Sequence, residues 1–225
     1  MWYNGLIMEI KDFFPMWDNL EEKEKNILEK KSVLKAAKSG DILYDSDDSC
    51  SGLILVASGQ LRAFYMSEGG REITLYRLLE GDICILKANC IINSLQFDIN
   101  ISAEKDTVFY VLPPESYKQL MESSLEISRY TNEIMAGRMS DIVWLMDQIM
   151  WQSFDKRLAG FLLEESALDD SDTLHITHET VANHMGTARE VVTRMLKYFR
   201  SEGLIELSRG SIKIVNFDAL RRLSA

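Results

Sequence analysis

The proline pair Pro113-Pro114 divides the chain into two textures that belong to different kinds of fold. Proline fixes φ and donates no backbone hydrogen bond, so the pair ends whatever regular structure precedes it. Before it, from Gly40 to about Leu112, short apolar runs alternate with turn residues. Ile42-Leu43-Tyr44 follows Gly40-Asp41, residues 53–57 precede Ser58-Gly59-Gln60, and residues 61–66 precede Ser67-Glu68-Gly69-Gly70. Residues 73–79 lead into Glu80-Gly81-Asp82, and Ile99-Asn100-Ile101 and residues 108–112 close the series. Strands at intervals of about ten residues with Gly-rich turns predict an all-β barrel or sandwich. The opening segment, to about Ala37, reads as helical. Its charged run over 21–31 carries Ile27, Leu28 and Leu34 near helical spacing, with Asp18 or Asn19 as the expected cap.

After the pair, a stretch without proline runs from Glu115 to about Trp151 and reads as one long helix. Within it Met135, Met139, Ile142, Met146 and Ile149 are spaced 4, 3, 4 and 3. That is an a/d seam, and it predicts a partner helix along its length, hence a dimer interface. Trp144 and Trp151 lie outside the seam and are expected to pack on the barrel or on the next domain. A helical segment over 156–165 follows, then the polar loop Asp169-Asp170-Ser171-Asp172 and two short helical patterns. Leu204-Ile205-Glu206-Leu207 and Ile212-Lys213-Ile214-Val215, set around Arg209-Gly210, read as a β-hairpin. The expected organisation is α+β: helices and a β-barrel over 1–114, a long helix over 115–152, and a small helical domain with a wing over 153–225.

The strongest local signal runs from Ile176 to Lys197. Thr177 is placed to cap a first helix whose inner face is Val181, Ala182 and Met185. Gly186 sits where a tight turn between helices needs a residue tolerant of positive φ, and Thr187 with Glu190 spells a capping box for the next helix. In that second helix Val192, Met195, Leu196 and Phe199 share one face, while Glu190, Thr193, Arg194 and Lys197 share the other, with Arg189 at the entry. Such a face suits the major groove of DNA, because Arg donates a bidentate pair to guanine and Glu accepts from the cytosine amino group. A merely solvated polar face is the alternative, and the preceding turn and following wing argue against it.

Charge distribution agrees. The chain of 225 residues carries a net −10, which argues against a general nucleic-acid coat protein. Over 186–213, six bases (Arg189, Arg194, Lys197, Arg200, Arg209, Lys213) face three acids (Glu190, Glu202, Glu206), a local +3. With 46% hydrophobic and 27% charged residues the chain is globular rather than disordered. It holds no run of about 18 apolar residues that would cross a membrane, and no basic start leading into an apolar stretch. The three cysteines, Cys50, Cys84 and Cys90, are irregularly spaced and read as reduced thiols in a cytoplasm.

The order of barrel, long helix and winged helix-turn-helix resembles the Crp/Fnr regulators, the cyclic-AMP-receptor and fumarate-nitrate-reductase family. The most specific stretches are Gly81-Asp82-Ile83-Cys84, Phe154-Asp155-Lys156-Arg157-Leu158 and Arg189-Glu190-Val191-Val192-Thr193-Arg194. The resemblance covers nearly the whole chain. It implies a cyclic-nucleotide-binding-like jelly roll, a homodimer joined by the long helix, a near-palindromic double-stranded DNA site, and RNA polymerase as downstream partner. Arg189, Glu190 and Arg194 match the family's base-reading positions, implying half-sites built around TGA or GTGA. Thr177, Thr187, Thr193, Lys197 and Arg209 complete the expected DNA contacts.

The effector is less legible. Gly81-Asp82 resembles the opening of a cyclic-nucleotide cassette, yet no Arg stands between Gly81 and Ala103, where Lys87 is the only base. Phe97-Asp98 falls where the family's Arg-Ser would stand, and a carboxylate there repels a phosphate, which argues against cyclic AMP. Three thiols are one short of the four ligands of a four-iron cluster. No haem motif is evident, and His175, His178 and His184 lack metal-ligand spacing and read as ordinary polar or capping residues. Cys84 and Cys90 form the one reactive constellation of the sensor half, a thiol pair able to close a reversible disulfide as a redox signal if the chain folds back, with Lys87 favouring the thiolate. Buried apolar cysteine is the commoner role. A small apolar or acidic effector in the barrel is the other option. No nucleophile-base set, phosphate loop or metal motif marks an enzyme. The second functional reading is a cyclic-nucleotide-like ligand-binding protein with no direct DNA role.

Overall fold

The structure, a computed structural model, describes residues 8–44, 52–85 and 99–225. Expectations concerning Cys50, Lys87, Cys90, Phe97 and Asp98 lie outside the described residues. The described chain forms two compact units, one running to Tyr65 and resuming at Leu75–Ile142, the other comprising Met66–Thr74 and Val143–Ala225.

The first unit opens with two short 3-10 turns, Ile10–Phe13 and Trp17–Asn19, then α1 (Glu22–Lys31). Asp18 and Asn19 belong to the second turn, so neither caps α1; instead Glu21 is the N-cap, and its N–H donates to Glu24 Oε2 at 2.8 Å. The helical expectation fails at Leu34. The extended Ser32 ends α1, and Leu34 lies in β1 (Val33–Ala37), opposite Tyr110. The strands that follow are β2 (Ile42–Tyr44), β3 (Leu53–Ser58), β4 (Gln60–Met66), β5 (Glu72–Leu79), β6 (Ile83–Cys84), β7 (Ile99–Ala103) and β8 (Thr107–Leu112).

These strands form two four-stranded sheets of jelly-roll type, ordered β1-β8-β3-β6 and β2-β7-β4-β5, rather than one closed barrel among the described residues. Alternation along β3 explains why both of its faces are buried. Ile54 and Val56 join Leu61, Ala63, Ile99, Ile101, Phe109 and Val111 in one core, while Leu53, Leu55 and Ala57 turn to Phe13, Phe14, Leu28, Tyr117 and Leu120. A strand with both faces covered reads as an unbroken apolar run, as 53–57 does.

Pro114 occupies the first turn of α2 (Pro114–Ser123), where its missing N–H costs nothing. The expected single helix is in fact two, because Ser124 is extended (φ −119°, ψ 116°) and α3 (Leu125–Trp151) starts afresh beyond it. Ser123 Oγ donates back to the Gln119 carbonyl at 2.9 Å, the kind of side-chain bond that competes with helix continuation. Along α3 the expected seam also divides. Met135 and Ile142 pack against the sheet core, whereas Met139 (68% exposed), Val143, Met146 and Met150 form an open apolar stripe with the same 4, 3, 4 spacing. Ile149 is exposed beside it. Trp144 and Trp151, expected to pack inward, are 63% and 74% exposed, because the helix turns them away from its core-facing side.

In the second unit α4 (Phe154–Asp169) precedes β9 (Thr173–Leu174), α5 (His178–Met185), α6 (Arg189–Ser201), β10 (Ile205–Ser208), β11 (Ser211–Ile214) and α7 (Phe217–Ser224). The hairpin is part of a three-stranded sheet, β10-β11-β9. One core unites Leu158, Leu162, Val181, Val192, Leu196, Phe199, Ile205, Ile212 and Leu220. Two of these elements went unread in the sequence. β9 is only two residues long, and α7 carries its own signal in Asn216, whose side chain accepts from the Ala219 N–H at 3.0 Å.

Candidate nucleic-acid interface

The interface is built on the turn between α5 and α6. Thr177 caps α5 as expected, its Oγ1 accepting from the Thr180 N–H at 3.0 Å. At the other end Gly186 takes the left-handed conformation (φ 67°), and the N–H groups of Gly186 and Thr187 both donate to the Ala182 carbonyl. That closure overturns the expected Thr187–Glu190 capping box. Thr187 is committed to ending α5, and the extended Ala188 becomes the N-cap of α6, so Glu190 falls one position short of the reach a box requires.

α6 sorts its side chains as the sequence predicts. Val192, Leu196 and Phe199 are fully buried, while Arg189, Glu190, Arg194 and Lys197 are exposed and Thr193 is half-buried. These five polar residues line one shallow depression on the surface. Arg189 Nε lies 4.0 Å from Glu179 Oε2 with both side chains in solvent, a contact too loose and too screened to hold the guanidinium back from another partner. Arg209 stands exposed at the hairpin tip, where Gly210 supplies the positive φ (75°) that the two-residue turn needs.

The histidines divide among three environments. His175 is exposed, and His184 is buried, with Nδ1 2.8 Å from Thr74 Oγ1 and its ring 5.3 Å from that of Phe161. His178 begins α5, and its Nδ1 lies 2.9 Å from Thr193 Oγ1. Burial, with Arg189 and Lys197 nearby, holds the His178 imidazole below the ordinary histidine value. Among the described residues, no group of three His, Cys, Asp or Glu side chains is placed to hold a metal ion.

In the first unit, Gly81 (φ 90°) closes the turn after β5, where Asp82 Oδ2 accepts from the Leu79 N–H at 2.8 Å. Sequence reading missed the partner of this turn, Arg138 on α3, because one base among methionines reads as a solvated residue. The Arg138 guanidinium reaches Asp82 and Asp141, both at 3.2 Å, and stacks over the Tyr76 ring at 4.7 Å. Cys84 is 1% exposed, with Sγ 3.7 Å from the Tyr76 hydroxyl, and burial together with Cys84 pushes that phenol's pKa well up. A thiol so enclosed behaves as a core residue.

Comparison with known proteins agrees with this arrangement. Residues 34–124 match the family described as cyclic nucleotide-binding domain, and residues 156–223 match the Crp-like helix-turn-helix domain. A crystal structure of a Crp/Fnr-family protein from Eubacterium rectale is 49% identical, with a TM-score of 0.92 over 95% of this chain and 99% of that one. The cyclic AMP receptor protein of Thermus thermophilus is 24% identical over 89% of this chain and 92% of its own length. The transcriptional activator protein FnrA of Stutzerimonas stutzeri is 24% identical over 80% of this chain and 75% of its own. With a sheet domain, a long helix and a winged helix-turn-helix in that order, the chain belongs to the Crp/Fnr family of DNA-binding transcription regulators.

Proposed function

We propose that the chain acts as a homodimer whose two α6 helices read the half-sites of a near-palindromic DNA, under the control of a signal received in the sheet domain. The observation that carries this reading is the five-residue face of α6. Arg189, Glu190, Thr193, Arg194 and Lys197 lie on one open surface opposite a fully buried apolar face. Arg and Glu there match the acceptors and donors that guanine and cytosine present in the major groove, Lys197 and Arg209 are placed for phosphate, and Thr177 and Thr187 stand at the two ends of α5. Half-sites of TGA or GTGA type follow from the family's pattern at Arg189, Glu190 and Arg194.

The stripe of Met139, Val143, Met146 and Met150 supports the dimer. Its coiled-coil spacing suits a second copy of α3, which would bury an apolar face otherwise left in water. Two recognition helices held this way meet half-sites about one helical turn, roughly 34 Å, apart. Asp82 and Arg138 join the turn after β5 to α3, a route by which a small effector in the sheet domain changes the helix and so the spacing of the reading heads. The protein works in the cytoplasm without catalytic turnover and passes its signal to RNA polymerase. No described helix is long and apolar enough to cross a membrane.

Selection of bound DNA from a random pool, with wild-type protein and with Arg194→Ala, tests the reading. A symmetric site enriched by the wild type and lost in the variant is the expected result. Enrichment of the same site by both proteins would refute base reading through Arg194.

A further inference from the structure

Thr193 is held from behind. It is half-buried in the reading face, and its Oγ1 lies 2.9 Å from Nδ1 of His178, across the helix-helix turn. A hydroxyl has one proton and two lone pairs, and an imidazole nitrogen accepts when bare and donates when protonated. The two groups therefore determine each other's polarity. We propose that His178 is a positioning residue that decides whether Thr193 offers DNA a hydrogen-bond acceptor or a donor. The inference rests on the reading of α6 as the base-reading helix and assigns one specificity term within it.

The chemistry is symmetric. In a neutral imidazole carrying its proton on Nε2, Nδ1 accepts the Thr193 O–H, leaving the Oγ1 lone pairs for DNA. Thr193 then favours a base that presents an amino group in the major groove, adenine or cytosine. When the imidazole is charged, Nδ1–H donates to Oγ1 and frees the hydroxyl proton. Thr193 then favours the acceptor atoms of guanine or thymine. No bond to DNA from His178 itself is needed.

The charged groups facing His178 are Arg189 and Lys197 on α6, while Glu179, next to it on α5, pairs loosely with Arg189. Burial opposes a charge on the imidazole, and both bases oppose it further, so the ring is neutral at neutral pH and, with its proton on Nε2, leaves Thr193 as an acceptor. Bound phosphates act in the other direction and bring the switch closer to neutrality in the complex.

The test uses the full-length protein and the DNA site recovered by selection, with each base pair of a half-site substituted singly. Affinities are compared from about pH 8 to about pH 4.5, a range carried below ordinary histidine titration because burial, Arg189 and Lys197 hold His178 down. At one base-pair position the preference moves, by about five- to ten-fold, from adenine or cytosine toward guanine or thymine as pH falls. Thr193→Ser keeps that switch. His178→Gln binds the site but loses the pH dependence at that position; Thr193→Val, which removes a group of the reading face, binds more weakly and loses it too, with circular dichroism confirming that both fold. A pH effect of equal size at all positions, or a positional switch that survives His178→Gln, would overturn the proposal. Loss of all discrimination by Arg194 would refute the reading of α6 itself, whereas intact Arg194 dependence without a switch refutes only the role of His178.

Discussion

Nη2 of Arg138 lies 3.2 Å from Oδ1 of Asp82, so the turn that ends β5 is tied to the middle of α3 by a charge-assisted bond. The Arg138 side chain is only 15% exposed, and its Nη1 also reaches Asp141. Such a pair is worth more than a fully exposed one because the guanidinium is largely withdrawn from water, while Asp82 and Asp141 remain 38% and 45% exposed. Arg138→Met, which keeps the apolar stem, is expected to lower stability by about 1–3 kcal/mol in chemical denaturation. An unchanged denaturation midpoint would mean that Asp82 and Asp141 are equally well served by water.

Gly186 is fixed by two constraints at once. Its φ of 67° is open to glycine at little cost, and a Cβ built there comes 2.8 Å from Ile73 Cδ1. Gly186→Ala is expected to cost about 1–3 kcal/mol, read as a lowered thermal midpoint, and to weaken DNA binding by disturbing the angle between α5 and α6. A variant as stable as the wild type would show that the turn relaxes freely.

Alkaline pH is expected to unfold the first unit through Tyr117. Burial raises this phenol from about 10 to about 12, partly offset by its hydrogen bond to Thr131 Oγ1 at 2.7 Å. Because the folded value is the higher one, the neutral form contributes stability that is complete below about pH 10 and is lost as pH rises through about 12. The loss amounts to about 3 kcal/mol at most. Tyr117→Phe should flatten the stability profile above pH 10, and an equal alkaline loss in both proteins would point to other groups.

The apolar stripe of α3 gives a separable prediction. Met139 and Met146 are exposed, so Met146→Lys is expected to leave the fold intact while shifting the protein to a monomer in sedimentation. Affinity for a two-half-site DNA should fall far more than affinity for a single half-site. A variant that remains dimeric would place the dimer contact elsewhere.

Much of this was readable in the residues, for identifiable reasons. Unbroken apolar runs such as 53–57 declare themselves because a strand covered on both faces has no wet side. The sorting of Val192, Leu196 and Phe199 from Arg189, Glu190 and Arg194 was legible because a helix on a small core has one wet face. The Thr177 cap of α5 was legible too, but the cap of α6 was not, since it turns on the Thr187 N–H being taken by the Ala182 carbonyl at the end of α5. Leu34 looked helical because spacing alone cannot distinguish the end of a helix from the start of an edge strand. Spacing did not separate the core-facing residues of α3 from the open ones, because Met135 and Ile142 meet the sheet core at the same interval that leaves Met139, Met146 and Ile149 in solvent.

The central claim, that α6 reads bases through its exposed face, is tested most directly at Arg194. Affinities of wild type and Arg194→Ala are measured, at one fixed salt concentration, for the selected site and for variants with each guanine of the half-site replaced. The wild type should lose about 1–3 kcal/mol at one guanine, and the variant should be indifferent to that same replacement. If both proteins lose the same factor at every guanine, Arg194 makes no base contact and the reading face lies elsewhere.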